Sequence, residues 1–198
     1  KLILFKLGRE WADNIIHVSY GMVELPQGKM KSREGTVVDA DDLMDQMYIT
    51  AENMARELGK ADELSSKESE KLFETISQGA LKFFILRVDP KKNMLFNPEE
   101  SIDFNGHTGP FIQYTYARIR SLLKKAEERG HLVDNPTDPG EVLPKEKEIL
   151  KLLYGYPSVI NNAAKDLNPA LVAGYAYELS REYNQFYQEV PILKAETR

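Results

Sequence analysis

The sequence predicts a mainly α-helical protein, with a helical bundle from about residue 40 onward. Two observations support this fold class. Over most of this region apolar residues recur three and four positions apart, which is the period of one helix face. Capping residues precede these apolar repeats, and glycine or proline follows them. No internal repeat is present in the sequence.

Composition is that of an ordinary soluble globular protein, with 42% hydrophobic and 29% charged residues among 198. The absence of cysteine excludes disulfides and cysteine-ligated metal. The three histidines stand far apart, so no metal-ligand spacing exists. No apolar run has the length of a membrane span. We therefore expect a cytoplasmic protein without a resident metal ion.

Charge is unevenly distributed along the chain, whose formal net charge is −5. Residues 39–74 contain eleven acids and four bases, whereas residues 105–133 contain five bases and two acids. The overall balance argues against a general polyanion binder. The basic segment indicates a local anionic partner, although a solvated helix face would have the same composition.

The first 38 residues mix short apolar runs with glycine and proline. The stretch from Trp11 to Val23 has a strand-like pattern, and Thr36–Val38 is predicted to be extended. Between them lies the glycine-flanked segment Gly28–Gly35, with two lysines and one arginine in an otherwise acidic protein. Glycine at each end lets a loop fold back, and its cations can then gather around a phosphate chain. Taken alone, the segment is more typical of an ordinary charged surface loop.

The helices after this loop are predicted from their ends. Asp39 or Asp41 caps a first helix that ends at Gly59. A capping box at Ser65–Glu68 begins a second helix, which Gly79 is expected to interrupt near Gln78. A buried helix is then predicted over residues 80–88, before Pro90.

Downstream, Gly109-Pro110 begins a long helix over residues 110–129 that Gly130 closes. Residues 134–144 are typical of a linker. Three further helices are predicted over residues 145–154, 157–167 and 169–189. The long helix is expected to bury one apolar stripe, made of Ile112, Tyr116, Ile119, Leu122 and Leu123.

Several motifs occur in a diagnostic order. The Lys-Met-x-Ser sequence of residues 29–32 is followed by Ala80-Leu81-Lys82-Phe83-Phe84 and by the segment from Phe96 to Phe104. The block Gly106-His-Thr-Gly-Pro-Phe-Ile-Gln-Tyr-Thr-Tyr-Ala-Arg118 comes next. Together these motifs resemble the second half of an arginyl-tRNA synthetase, a class I enzyme, over nearly the whole chain.

This resemblance implies three regions. Residues 1–45 would be the C-terminal edge of a Rossmann-type catalytic domain with a KMSKS-type loop, and residues 46–104 a helical connecting region. Residues 105–198 would be a DALR-type anticodon-binding helical bundle, which we expect to be incomplete at its C-terminus. In the family the loop closes over the ATP triphosphate, so Lys29 is the predicted catalytic residue. The loop departs from the consensus because its second lysine comes one position early, and the predicted ATP-binding residues are Lys29, Met30, Lys31, Ser32 and Arg33.

The same resemblance implies that Phe111, Gln113, Tyr114 and Arg118 bind tRNA. Tyrosine rings are suited to stack on unpaired bases, and arginine to bind phosphates. Each residue also has a structural alternative: Phe111 as a core residue, for example, and Arg118 as the partner of an acid on another helix. His107 stands where the family usually carries asparagine. Most tyrosines of the last helix are expected to pack within the bundle.

The family reaction is the ATP-dependent attachment of arginine to tRNA-Arg through an arginyl-adenylate. The resemblance thus implies tRNA-Arg as partner, ATP (as its magnesium complex) and arginine as substrates, and a monomer. The His-x-Gly-His motif that class I enzymes need for ATP is missing from this sequence, so we expect the chain to be inactive alone. Two alternatives remain open: a free-standing helical module that binds tRNA or a protein, and part of another class I synthetase.

Overall fold

The computed structural model describes residues 1–24, 39–57, 59, 64–130 and 142–193. The described residues form a mainly α-helical structure, with two short parallel strands and a 3-10 helix at Glu10–Asn14. The strands are β1 (Val23–Glu24) and β2 (Met94–Leu95). The α-helices are α1 (Leu2–Lys6), α2 (Ala40–Glu57), α3 (Ser66–Leu86), α4 (Pro98–Ile102), α5 (Gly109–Glu128), α6 (Pro144–Asp166) and α7 (Ala170–Glu189).

Helix α2 begins and ends where the sequence predicts. The backbone N–H of Asp41 donates to Asp39 Oδ1 at 3.2 Å, so Asp39 is the capping residue. After the helix, Gly59 has a φ of +64°, a left-handed conformation that glycine adopts without steric cost. Local chemistry alone therefore determines both ends of α2.

The main core lies where α2, α3 and α4 meet the strand β2. Phe96, which directly follows β2, is fully buried and contacts Phe84 edge-on, with ring centroids 5.0 Å apart. Met47 of α2 and Ile102 of α4 are also fully buried there. Because α3 also packs against α5, this core positions the bundle that follows.

Helix α3 is continuous, and the predicted interruption at Gly79 is wrong. Its start is as expected: Glu68 Oε2 accepts hydrogen bonds from the Ser65 N–H at 3.1 Å and from the Ser65 hydroxyl at 2.7 Å. Glycine within a helix costs about 1 kcal/mol relative to alanine. Burial of the helix on both sides of Gly79, at Ile76, Ser77, Ala80 and Leu81, outweighs that cost.

The strand-like pattern from Trp11 to Val23 is also misleading. Part of this stretch is the 3-10 helix, and most of the rest forms no strand. Within the described residues, pairing is limited to Val23 opposite Met94 and Glu24 opposite Leu95. Next to it, the Met22 N–H donates to Asn93 Oδ1 at 2.8 Å. Alternating apolar residues become a strand only where a neighbouring backbone is available for hydrogen bonds, and here β2 offers only two residues.

Helix α6 passes through Pro157, which the sequence analysis had placed at a helix boundary. Proline removes one backbone hydrogen bond and crowds the preceding turn. Pro157 is exposed, but helix α6 packs against α7, and Ala163 is buried after the proline. Lys145 Nζ donates to Gln185 Oε1 at 2.7 Å, and the Tyr156 and Tyr175 rings lie 5.2 Å apart. Tertiary packing therefore joins the two predicted helices into one continuous helix.

Candidate nucleic-acid interface

Helix α5 carries all four residues that the sequence analysis assigned to tRNA binding. Its N-terminus is capped by Thr108, whose Oγ1 accepts from the Phe111 N–H at 3.3 Å and donates to the Asp103 carbonyl. Gly130, with a φ of +68°, follows the other end, as predicted. These contacts fix where the helix begins relative to the loop before it.

The first turn of α5 lies unusually close to α3. A Cβ atom added to Gly109 would collide with the backbone carbonyl of Gly79. One added to Gly79 would collide with the amide of Gln113. Two glycines facing each other thus allow the backbones of the two helices to approach, and this contact explains why Gly79 lies inside a helix.

Gln113 uses its side chain in this helix contact. Its Nε2 donates to the Thr75 carbonyl of α3 at 2.8 Å. Its Oε1 is buried and, among the described residues, lacks a hydrogen-bond partner. The position of Gln113 is therefore that of a residue holding α5 to α3.

Phe111 lies in an aromatic cluster at the same end of the helix. Its half-buried ring is 5.2 Å from the ring of Tyr177 on α7, and the His107 ring is 4.0 Å from Tyr177. Phe83 of α3 contacts His107 at 5.3 Å. The cluster joins α3, α5 and α7, so Phe111 has the contacts of a packing residue.

Arg87 connects this cluster to the end of α3. Its guanidinium donates to the His107 carbonyl at 2.6 Å and lies 4.0 Å from the centre of the Phe84 ring. Partial burial lowers the pKa of His107, and the charge of Arg87 lowers it further, while Glu178 acts in the opposite direction. The neutral imidazole is therefore the form that the folded protein favours.

A pH-dependent stability follows from this arrangement. Because folding lowers the pKa of His107, the unfolded chain binds a proton at higher pH than the folded chain. The free energy of unfolding should therefore fall as pH drops below about 6.5, the ordinary value for histidine. A His107→Gln variant should lose less stability between pH 7.5 and pH 5 than the wild type, as measured by urea denaturation. The exposed His17 provides the control His17→Gln, and an equal loss in wild type and His107→Gln would contradict the prediction.

Tyr114 and Arg118 lie one turn apart on α5, further along the helix than Phe111. The Arg118 guanidinium carbon is 4.9 Å from the centre of the Tyr114 ring and 4.8 Å from that of Tyr187 on α7. Arg118 also donates to Asn184 Oδ1 and, at 3.4 Å, to the Tyr114 hydroxyl. Tyr114 is 42% exposed and Tyr187 37% exposed. We call Tyr114, Arg118, Asn184 and Tyr187 the arginine cluster.

Further cations lie on another side of α5. Arg120 and Lys124 are exposed and, with Leu123, line an open cavity of about 720 Å³. Tyr116, which had been expected on the buried stripe, is 64% exposed, and Leu123 is 44% exposed. The buried face instead centres on Thr115 and Ala126, because α3 and α7 cover that side of the helix. An aromatic and cationic surface therefore remains open to solvent.

The structure separates the four predicted tRNA-binding residues into two groups. Tyr114 and Arg118 share the partly exposed arginine cluster with two residues of α7, whereas Phe111 lies in the aromatic cluster and Gln113 holds α5 to α3. Asn184 was not predicted from the sequence. There it is only a polar residue four positions after Ser180, on the same face of the predicted helix, and the structure shows that both are buried. The predicted ATP-binding residues, Lys29, Met30, Lys31, Ser32 and Arg33, lie outside the described residues.

Two other features are absent from the described part of the chain. It holds no group of three or more histidine, aspartate or glutamate side chains placed to bind a metal ion. None of its helices combines the length and apolar character that crossing a membrane requires.

Comparison with known proteins gives consistent results. Residues 112–198 match the family described as the DALR anticodon binding domain. The arginine–tRNA ligase of Flavobacterium psychrophilum is 57% identical over 195 residues, which are 98% of this chain and 32% of that enzyme. That of Phocaeicola vulgatus is 55% identical over 196 residues, again 98% and 32%. The chain spans about a third of the length of these curated relatives.

Solved structures resemble the chain in the same way. The Thermus thermophilus arginyl-tRNA synthetase superposes with a TM-score of 0.83 at 25% identity, over 98% of this chain and 32% of that one. The Plasmodium falciparum arginyl-tRNA synthetase shares the fold, with a TM-score of 0.69 at 18% identity, over 95% of this chain and 32% of that one. Motifs, fold and relatives therefore agree that this chain is similar to the third of an arginyl-tRNA synthetase that contains the DALR anticodon binding domain.

Proposed function

We propose that this chain is part of an enzyme that attaches arginine to tRNA-Arg in an ATP-dependent reaction through an arginyl-adenylate. One observation carries the proposal: 98% of the chain aligns with arginine–tRNA ligases at more than half identity. The proposed substrates are arginine, tRNA-Arg and ATP, with magnesium bound to the nucleotide. The proposed enzyme is monomeric and acts in the cytoplasm.

The chain is proposed to divide into three parts with separate tasks. Residues 1–45 form the edge of the catalytic domain. Residues 46–104 form the helical region that connects it to residues 105–198, which bind the anticodon arm. In the first part, Lys29 places its charge near the pyrophosphate that leaves ATP, where a fixed cation stabilises the developing negative charge. The other residues proposed to close over the triphosphate are Met30, Lys31, Ser32 and Arg33.

In the anticodon-binding part, Tyr114 and Arg118 are proposed to contact RNA directly. Both belong to the arginine cluster, and α5 carries further exposed cations at Arg120 and Lys124. Aromatic faces and guanidinium groups are the chemistry with which proteins hold single-stranded RNA loops. Phe111 and Gln113 are proposed to support the same contact by holding α5 against α3 and α7.

The proposal is tested with the product of the complete reading frame that includes this chain. Charging of tRNA-Arg with radiolabelled arginine is measured with ATP, and tRNA affinity is measured separately by filter binding. Lys29→Ala should lower the charging rate far more than the affinity for tRNA. Arg118→Ala should weaken tRNA binding about tenfold, the loss of one good contact.

The control for the cationic variants is Lys151→Ala, an exposed lysine of α6, which should change neither quantity. Wild-type protein that charges no tRNA with arginine would overturn the proposed function. Unchanged charging by Lys29→Ala would overturn the loop assignment, and unchanged tRNA affinity in Arg118→Ala would overturn the RNA contact.

A further inference from the structure

The side-chain amide of Asn184 has only one orientation that fits its surroundings. Asn184 is 8% exposed. Its Nδ2 donates to Thr115 Oγ1 at 2.7 Å and to the Ser180 carbonyl at 2.9 Å, so both amide hydrogens are used. A reversed amide would direct N–H groups at Arg118, which has no acceptor atom. The Oδ1 of Asn184 therefore faces the guanidinium.

This hydrogen bond restrains Arg118 at a partly exposed position. The Asn184 oxygen accepts from one terminal nitrogen of the guanidinium, and the Tyr114 hydroxyl from the other. The rings of Tyr114 and Tyr187 pack against the same group. A free arginine side chain loses much rotamer entropy when it binds a ligand, and an arginine that is already held loses less.

The guanidinium keeps hydrogen-bonding capacity for a ligand. Of its five N–H donors, the contacts found among the described residues use two. Two parallel N–H groups match the oxygens of a phosphate in both spacing and direction. Arg120 and Lys124 are exposed on other sides of the same helix and add to its positive charge.

We propose that Asn184 is a positioning residue that holds Arg118 ready to bind a backbone phosphate in the single-stranded loop of the tRNA. The proposal rests on the proposed tRNA binding of this chain, and it assigns the phosphate contact to Arg118. Thr115 and Ser180 take part by fixing the direction of the Asn184 amide. Tyr114 and Tyr187 confine the guanidinium through their rings.

A double-mutant cycle on tRNA affinity tests the proposal. Fluorescence anisotropy with a labelled tRNA-Arg transcript is measured for wild type, Asn184→Leu, Arg118→Ala and the double variant. If Asn184 acts through Arg118, Asn184→Leu should weaken binding about threefold to tenfold in the wild type. In the Arg118→Ala background it should cause no further loss.

Salt dependence identifies the chemical group that Arg118 binds. Loss of one phosphate contact lowers the slope of log affinity against log salt by about one. Asn184→Leu and Arg118→Ala should both show this decrease. An unchanged slope in Arg118→Ala, despite weaker binding, would overturn the phosphate assignment.

Two further variants separate positioning from general damage to the fold. Gln188→Leu removes an exposed amide from the same helix and should bind tRNA as the wild type does. Thr115→Val removes the acceptor of the Asn184 amide but leaves Asn184 and Arg118 in place, and it serves if Asn184→Leu does not fold. It should reduce affinity in the wild type but not in Arg118→Ala.

The outcomes distinguish this inference from the function on which it rests. Absence of tRNA binding by the wild type would overturn the proposed function. Binding that Arg118→Ala weakens, but that neither Asn184→Leu nor Thr115→Val changes, would overturn only the role of Asn184. An additional loss from Asn184→Leu in the Arg118→Ala background would show that Asn184 does not act through Arg118, and it would also overturn the inference.

Discussion

Replacing Phe96 by alanine is expected to lower the free energy of unfolding by about 3–5 kcal/mol. Phe96 has no exposed surface and contacts Phe84 edge-on at 5.0 Å. Alanine would remove the ring and leave a cavity that the surrounding helices cannot fill without moving. The backbone N–H of residue 96 donates to the Glu24 carbonyl at 2.7 Å, and the substitution keeps that bond. The loss therefore measures side-chain packing.

The neighbouring residue provides the control. Leu95 is 59% exposed, so Leu95→Ala should change the free energy of unfolding by no more than about 0.5 kcal/mol. Both variants are measured by urea denaturation followed by circular dichroism, with the slope against urea concentration compared to that of the wild type. Equal destabilisation by the two substitutions would contradict the placement of the core on the Phe96 side of this segment.

Substitution of Gly109 by alanine is expected to destabilise the protein by about 1–3 kcal/mol. The added Cβ would collide with the backbone carbonyl of Gly79, which cannot rotate away as a side chain could. Helices α3 and α5 would have to separate, and the Gln113 hydrogen bond to the Thr75 carbonyl would lengthen. In an open position the same substitution is normally favourable within a helix.

Gly155 of α6 and Gly174 of α7 are such open positions, because an added Cβ at either meets no atom within 4 Å. Gly155→Ala and Gly174→Ala should therefore leave stability unchanged or raise it by about 0.5–1 kcal/mol. Thermal and urea unfolding are measured for the three variants. The change in the free energy of unfolding relative to the wild type should be negative for Gly109→Ala and zero or positive for the two controls. Stabilisation by Gly109→Ala, of the same size as in the controls, would show that α3 and α5 are not in close contact there.

Much of the candidate site was predictable because α5 is a regular helix. Tyr114 and Arg118 are four residues apart, and residues at that spacing are neighbours on any α-helix. The motif block that contains them predicted a nucleic-acid contact before any fold was known. The remaining half of the arginine cluster, Asn184 and Tyr187, comes from α7 and could not be placed, since no local pattern states which helices pack together.

Local chemistry in the sequence determined where α2 and α5 begin and end and where α3 begins. Asp39, the Ser65–Glu68 pair and Gly130 satisfy or terminate backbone hydrogen bonds within a few residues, so their effect does not depend on the rest of the fold. Only the tertiary structure decided whether Gly79 and Pro157 interrupt their helices. At these two positions an intrinsic cost of one to a few kcal/mol competes with burial against another helix, and burial depends on residues far away in the chain.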